Sequence, residues 1–186
     1  MGIHLTLHPG KLHVMKDLVK IKFLLRNKSM DYYNNLPEMK DPEKNAAMRI
    51  LSYISSASFF AVPDLVPLLA IKMIRLTIEY GLSLKSPFSF AAYGYILSVY
   101  LNEVDKGISF GEVALHLARK IHAEEMIGSI MVTSNIFLTH RRTPLRETIH
   151  ELDKAFTCCL ESGDNEYGSY AAHNKVYKLF IMGYPL

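Results

Sequence analysis

The sequence predicts an all-α protein, an α-solenoid of antiparallel helix pairs of tetratricopeptide-like type with about eight helices. Three observations predict it. Ser89-Phe90-Ala91-Ala92, Ser129-Ile130-Met131-Val132 and Ser169-Tyr170-Ala171-Ala172 recur at a spacing of 40 residues, and a fixed period in that range marks stacked helix pairs. Helix start and stop residues are plentiful, with Asp41-Pro42, Pro63-Asp64, Ser86-Pro87 and Thr143-Pro144 as starts and Gly81, Gly163 and Gly183 as stops. No alternating apolar run is bounded by an Asn-Gly or Asp-Gly turn, so strand signals are almost absent.

Each element follows in order. Pro9-Gly10 precedes an amphipathic run from Lys11 to Arg26, with Leu12, Met15, Val19 and Phe23 on one row and Val14, Leu18, Ile21 and Leu25 on another. Residues 27–40 read as a linker with a short helical turn. Asp41 can cap free backbone N–H groups and Pro42 suits the first helical position, so a helix runs to about Phe60. Further helices are expected over 63–80, 86–102, 105–121, 123–140, 144–162 and 164–182. They pair as 42–60 with 63–80, 86–102 with 105–121, and 123–140 with 144–162, leaving the last without a mate. The expected division is a basic helix and linker over 1–40, packed on helical repeats over 41–186 whose last repeat is incomplete.

The repeat register separates expected core from expected surface. Positions 92, 132 and 172 are Ala, Val and Ala; 96, 136 and 176 are Ile, Ile and Val; 100, 140 and 180 are Tyr, His and Phe. They lie four apart, on one helical face. Positions 95, 135 and 175 are Tyr, Asn and Lys, and 98, 138 and 178 are Ser, Leu and Lys. Unlike residues at matched places suggest a surface. If first helices line a concave groove, Tyr95, Asn135 and Lys175 are the candidate partner contacts.

Composition limits the function classes. Of 186 residues, 49% are hydrophobic and 21% charged, as in an ordered globular chain. The net charge of +3 gives no general affinity for nucleic acid. The charge is uneven: six basic residues and Asp17 leave residues 11–28 at +5 and the remainder at −2. Cys158 and Cys159 are adjacent, diverge on a helix and do not suit a disulfide, in keeping with a reducing cytoplasm. The N-terminus lacks the pattern of a signal peptide. Ile50 to Ile71 holds a single charge, Asp64, but Pro63, Pro67 and four serines make it two buried helices rather than a membrane span.

No constellation demands catalysis. His140-Arg141-Arg142-Thr143-Pro144-Leu145 approaches the phospho-accepting box of histidine kinases, yet one residue is missing and Thr143-Pro144 is accounted for as a helix start. His4, His8 and His13 have no acidic or cysteine companion at a metal-site spacing. The cysteine pair lacks the spacing of redox motifs and reads as small buried thiols. No Gly-x-x-x-x-Gly-Lys loop is present. The expectation is therefore no catalytic residue, no cofactor and no metal. The basic helix could lie on an anionic membrane or meet an acidic partner, though a solvated basic face explains it as well.

Several blocks carry a family resemblance: Lys11-Leu12-His13, Leu24-Leu25-Arg26-Asn27-Lys28-Ser29, Asn35-Leu36-Pro37-Glu38-Met39, Asp41-Pro42-Glu43-Lys44, Ala46-Ala47-Met48-Arg49-Ile50-Leu51, and Ser162-Gly163-Asp164 with Tyr170-Ala171-Ala172. The chain resembles the central helical region of bacterial multidomain signalling proteins. Those proteins combine a serine/threonine kinase domain, an AAA-type ATPase, this helical region, a GAF domain and a sensor histidine kinase. The resemblance implies a helical arm that senses or transmits between an ATPase and an output module. None of the family's catalytic motifs is present, so none of its catalytic residues transfers. It implies a cytoplasmic scaffold excised from a longer protein, with a protein or flanking domains as partner. The unmated last helix offers a face for self-association.

Overall fold

The computed structural model describes residues 10–184, apart from the side chains of Lys11 and His13. His4 and His8 lie outside the described residues. Among those described, the chain is all-helical, with nine α-helices, three short 3-10 turns and no strand. They fall into two compact units, one ending at Ser89 and one beginning at Phe90.

In the first unit, α1 (Lys11–Leu24) buries Leu18 and Ile21 and lies against α4 (Val66–Tyr80). The short α2 (Met30–Asn34) starts where Ser29 Oγ accepts the Tyr32 N–H. Asp41 caps α3 (Pro42–Ala61) as its sequence predicts, Oδ1 accepting the N–H groups of Glu43 and Lys44 at 2.9 and 3.1 Å. A 3-10 turn, Pro63–Leu65, leads into α4, which packs on α3 and is buried along most of its length.

The Leu36-Pro37-Glu38-Met39 block has a defined task. It runs parallel to the loop after α4: the Met39 N–H donates to the Leu82 carbonyl at 2.8 Å, and the Leu82 N–H donates to the Pro37 carbonyl at 2.7 Å. Gly81, at φ 101°, brings the backbones together, since a Cβ there would strike the Pro37 carbonyl oxygen. The same loop is knotted from the other side by hydroxyls. Ser86 Oγ accepts the Ser83 N–H at 2.9 Å and lies 3.0 Å from Thr77 Oγ1, while Ser89 Oγ donates to the Ser86 carbonyl at 2.6 Å. These groups are buried, and each finds a partner, as burial of a polar group requires.

The second unit holds most of α5 (Ser86–Tyr100), then α6 (Val104–Lys120), α7 (Ile127–Phe137), α8 (Leu145–Glu161) and α9 (Asn165–Ile181). Contacting residues run in opposite senses along neighbouring helices. Phe90 stacks on Phe110 while Gly94 meets Gly107, so α5 and α6 are antiparallel. Gly128 meets Cys159 while Asn135 meets Thr148, so α7 and α8 are antiparallel. Cys159 meets Gly168 while Asp153 meets Lys175, so α8 and α9 are antiparallel. The expected pairings of 86–102 with 105–121 and of 123–140 with 144–162 are therefore present.

The expected helix over 123–140 is interrupted at both ends. Glu124–Met126 and Thr139–Arg141 are 3-10 turns, and only Ile127–Phe137 is α-helical. The α-helical stretch ends just before Leu138, which is buried. Its side chain occupies the space left by Gly107 and Gly111 of α6.

Buried positions of α6 and α8 share a spacing. Both α6 and α8 have 17 residues, and α8 begins at Leu145, 41 residues after Val104. At that offset Gly107, Gly111, Ala114 and Ala118 match Thr148, Leu152, Ala155 and Cys159, all buried. In α4, Ala70, Met73 and Thr77 precede the last three pairs by the same interval and are buried too.

The first-helix register differs from its sequence expectation. Ser98, Leu138 and Lys178, expected on a surface because they are unlike, are all buried. Tyr100, Val176 and Phe180, expected in the stacking face, are exposed. Each matched position meets a different neighbour. Ser98 Oγ donates to the Phe137 carbonyl, Leu138 fills the gap beside two glycines, and Lys178 enters a polar pocket of side chains.

The α5–α6 crossing admits no side chain at Gly94, where a Cβ would sit 2.6 Å from the Gly107 carbonyl oxygen. Gly94→Val should destabilise the chain by about 2 kcal/mol or more. Urea denaturation followed by circular dichroism measures it.

Candidate functional site

The chemically distinctive place in the second unit is a buried amine held between three helices. Lys178 on α9 is 6% exposed. Its Nζ donates to Asn135 Oδ1 on α7 and, at 2.9 Å, to Thr148 Oγ1 on α8. Asn135, 3% exposed, donates in turn from Nδ2 to the Thr148 carbonyl at 2.8 Å. Thr148 Oγ1 donates to the Leu145 carbonyl at 2.7 Å, which ties the cluster into the first turn of α8. All the contacts of the ammonium recorded here are with neutral oxygens. Burial pulls its pKa down from 10.5 to about 8.

His140 adjoins this cluster from the 3-10 turn after α7. Burial and the charge of Lys178 lower its pKa, against a hydrogen bond with the Asn135 backbone that raises it. Its Nδ1 is enclosed and has no hydrogen-bond partner. The two arginines that follow bond to neighbouring helices. Arg141 donates from Nη1 to the Ser98 carbonyl at 3.1 Å. Arg142 forms a two-pronged, solvent-exposed ion pair with Asp105 at the start of α6, at 2.8 and 3.1 Å. The segment resembling a phospho-accepting box thus holds a half-buried histidine followed by two arginines engaged with α5 and α6.

The three contact residues expected from the sequence have different settings. Tyr95 is half-buried, edge-on to Tyr100 and Phe137 with centroids 5.9 and 4.6 Å away, and burial raises its pKa. Asn135 is inside the cluster described above. Lys175 is partly exposed, with Nζ 2.6 Å from Asp153 Oδ1 on α8. The structure brings Asn135 to Lys178 rather than to Lys175. Lys178 is expected on the surface from the register, and the sequence signal for its burial is its place 40 residues after Leu138.

Among the described residues, no group of three or more His, Cys, Asp or Glu side chains could hold a metal ion. Cys158 and Cys159 are free thiols. Cys159 is buried against Gly128, and burial pushes its pKa up to about 12. No helix of the described residues is long and apolar enough to cross a membrane.

Comparison with known proteins supplies a context. The chain is 24% identical over 147 residues to hybrid signal transduction histidine kinase G of Dictyostelium discoideum. The match covers 78% of this chain and 4% of that protein, so the chain corresponds to a small part of its relative's length. No protein-family model matches the chain, and no solved structure matches it. The similarity relates the chain to signalling proteins.

The amine cluster makes stability depend on pH with a definite sign. Below about pH 8 Lys178 is protonated in both the folded and unfolded chain, and the cost of burying the ammonium is fully present. Between about 8 and 10.5 the folded chain releases its proton first, so stability rises with pH. Lys178→Met should flatten that rise, read from urea midpoints at pH 7 and pH 10. Asn135→Ala removes an acceptor from a charged group and should cost about 1–3 kcal/mol at pH 7, and less at pH 10.

Proposed function

We propose that the chain is a non-catalytic helical-repeat module of a signalling protein, a tetratricopeptide-like scaffold that holds a protein segment or another domain of its own polypeptide. The observation that carries this reading is the 41-residue repeat of the buried stripe in α6 and α8, which supports stacked helix pairs. The similarity to a signal transduction histidine kinase supports the signalling context. On this reading the solvent-facing parts of Tyr95 and Lys175 touch the partner, and Asn135 holds the supporting helices in register.

A second reading, that the chain belongs to the catalytic part of a kinase, rests on the His140-Arg141-Arg142-Thr143-Pro144 segment. It requires a phosphate acceptor open to solvent. The enclosed Nδ1 of His140 and the bonds of Arg141 and Arg142 to α5 and α6 favour the scaffold instead.

Two measurements test the proposal together. Incubation of the purified chain with labelled ATP should leave no label on the protein, and acid-labile label on His140 would overturn the reading. Titration calorimetry against the domains that adjoin this segment in its parent protein should show binding. Lys175→Glu should weaken it about tenfold while moving the melting temperature little, because an exposed ion pair contributes little to stability. Failure of every adjoining domain to bind would overturn the scaffold reading.

A further inference from the structure

The first helix carries two apolar faces, and only one is used. Leu18, Ile21 and Leu25 are buried, and α1 packs on α4. On another side, Leu12, Met15, Val19 and Phe23 are 88, 53, 60 and 75% exposed. At 100° per residue these four fall within a stripe about 80° wide, and it runs for about 16 Å along the axis. Lys16 and Lys20 follow one edge of the stripe, and Lys22 follows the other. Asp17, the single acid of the helix, lies on the far side of the axis from Val19 and pairs with Lys20 at 3.5 Å.

We infer that this outer face of α1 is a docking surface for an acidic amphipathic helix of a partner protein. The spacing i, i+3, i+7, i+11 places four anchors in a row, as in helix-to-helix recognition. A stripe this narrow matches one helix. The basic edges select the occupant. They repel a second copy of α1, whose edges carry the same charge, and they attract glutamates flanking a leucine row. The surface is distinct from Tyr95 and Lys175, so the scaffold reading can fail without it, and the reverse.

The test uses the full chain and three probes. The first is a synthetic amphipathic peptide with a leucine stripe edged by glutamates. The second has the same stripe edged by lysines. The third is vesicles of phosphatidylcholine and phosphatidylserine. The acidic peptide should bind, measured by fluorescence anisotropy, and more weakly as salt rises. Val19→Asp should reduce its affinity about tenfold or more, as should the double change Lys16→Glu with Lys20→Glu. All three positions are exposed, so circular dichroism spectra should be unchanged. Should Val19→Asp disturb the fold, Phe23→Ser repeats the test. Equal binding of the two peptides would overturn the inference, as would binding of neither. Sedimentation with vesicles in the absence of peptide binding would overturn it in favour of a membrane surface.

Discussion

The second unit depends on how closely its helices approach. The helix α8 is covered on two sides, by α7 and by α9, and covered helices can approach only where side chains are small. Ala155 and Cys159 on α8, with Gly128 on α7 and Gly168 on α9, meet this demand at one level. At the α5–α6 crossing Gly94 and Gly107 meet it with no side chain at all. Tight contact of this kind leaves the larger residues to fill the space beside it. Leu138 is one of them, buried beside Gly107 and Gly111.

The same closeness explains why a lysine can be interior. Where α7, α8 and α9 come together near the first turn of α8, Asn135 and Thr148 offer oxygens at the distance an ammonium needs. Two hydrogen bonds to neutral groups offset part of the desolvation cost, and the lowered pKa records what remains. An apolar residue at 178 would avoid that cost but would leave the Asn135 oxygen without its lysine donor. The cluster therefore fixes the relative register of three helices, because a shift of one turn would strand a buried polar group.

The proposed function places the work of the chain on its surfaces. The chain shares a stretch of sequence with a signal transduction histidine kinase, and the stretch is a small fraction of that protein. The polar cluster at Lys178 is buried and His140 beside it is half-buried. The exposed apolar residues of α1 are a different matter. They sit on a helix already anchored by its opposite side, so they are displayed without being needed for anchoring α1.

The sequence by itself determined that the chain is helical and where most of its helices start, though not the breaks at Glu124–Met126 and Thr139–Arg141. Asp41-Pro42 and Gly81 act within a few residues of the backbone groups they cap or turn, and such local chemistry is legible without a fold. Which residue faces which neighbour is not. Ser98, Leu138 and Lys178 share one register position and yet meet a carbonyl, two glycines and an amide-hydroxyl pair. Asn135 read as a contact residue and lies inside for the same reason. Side-chain identity reports the average environment of a position, whereas burial depends on the particular helix packed against it, and only the tertiary structure brings that helix into place.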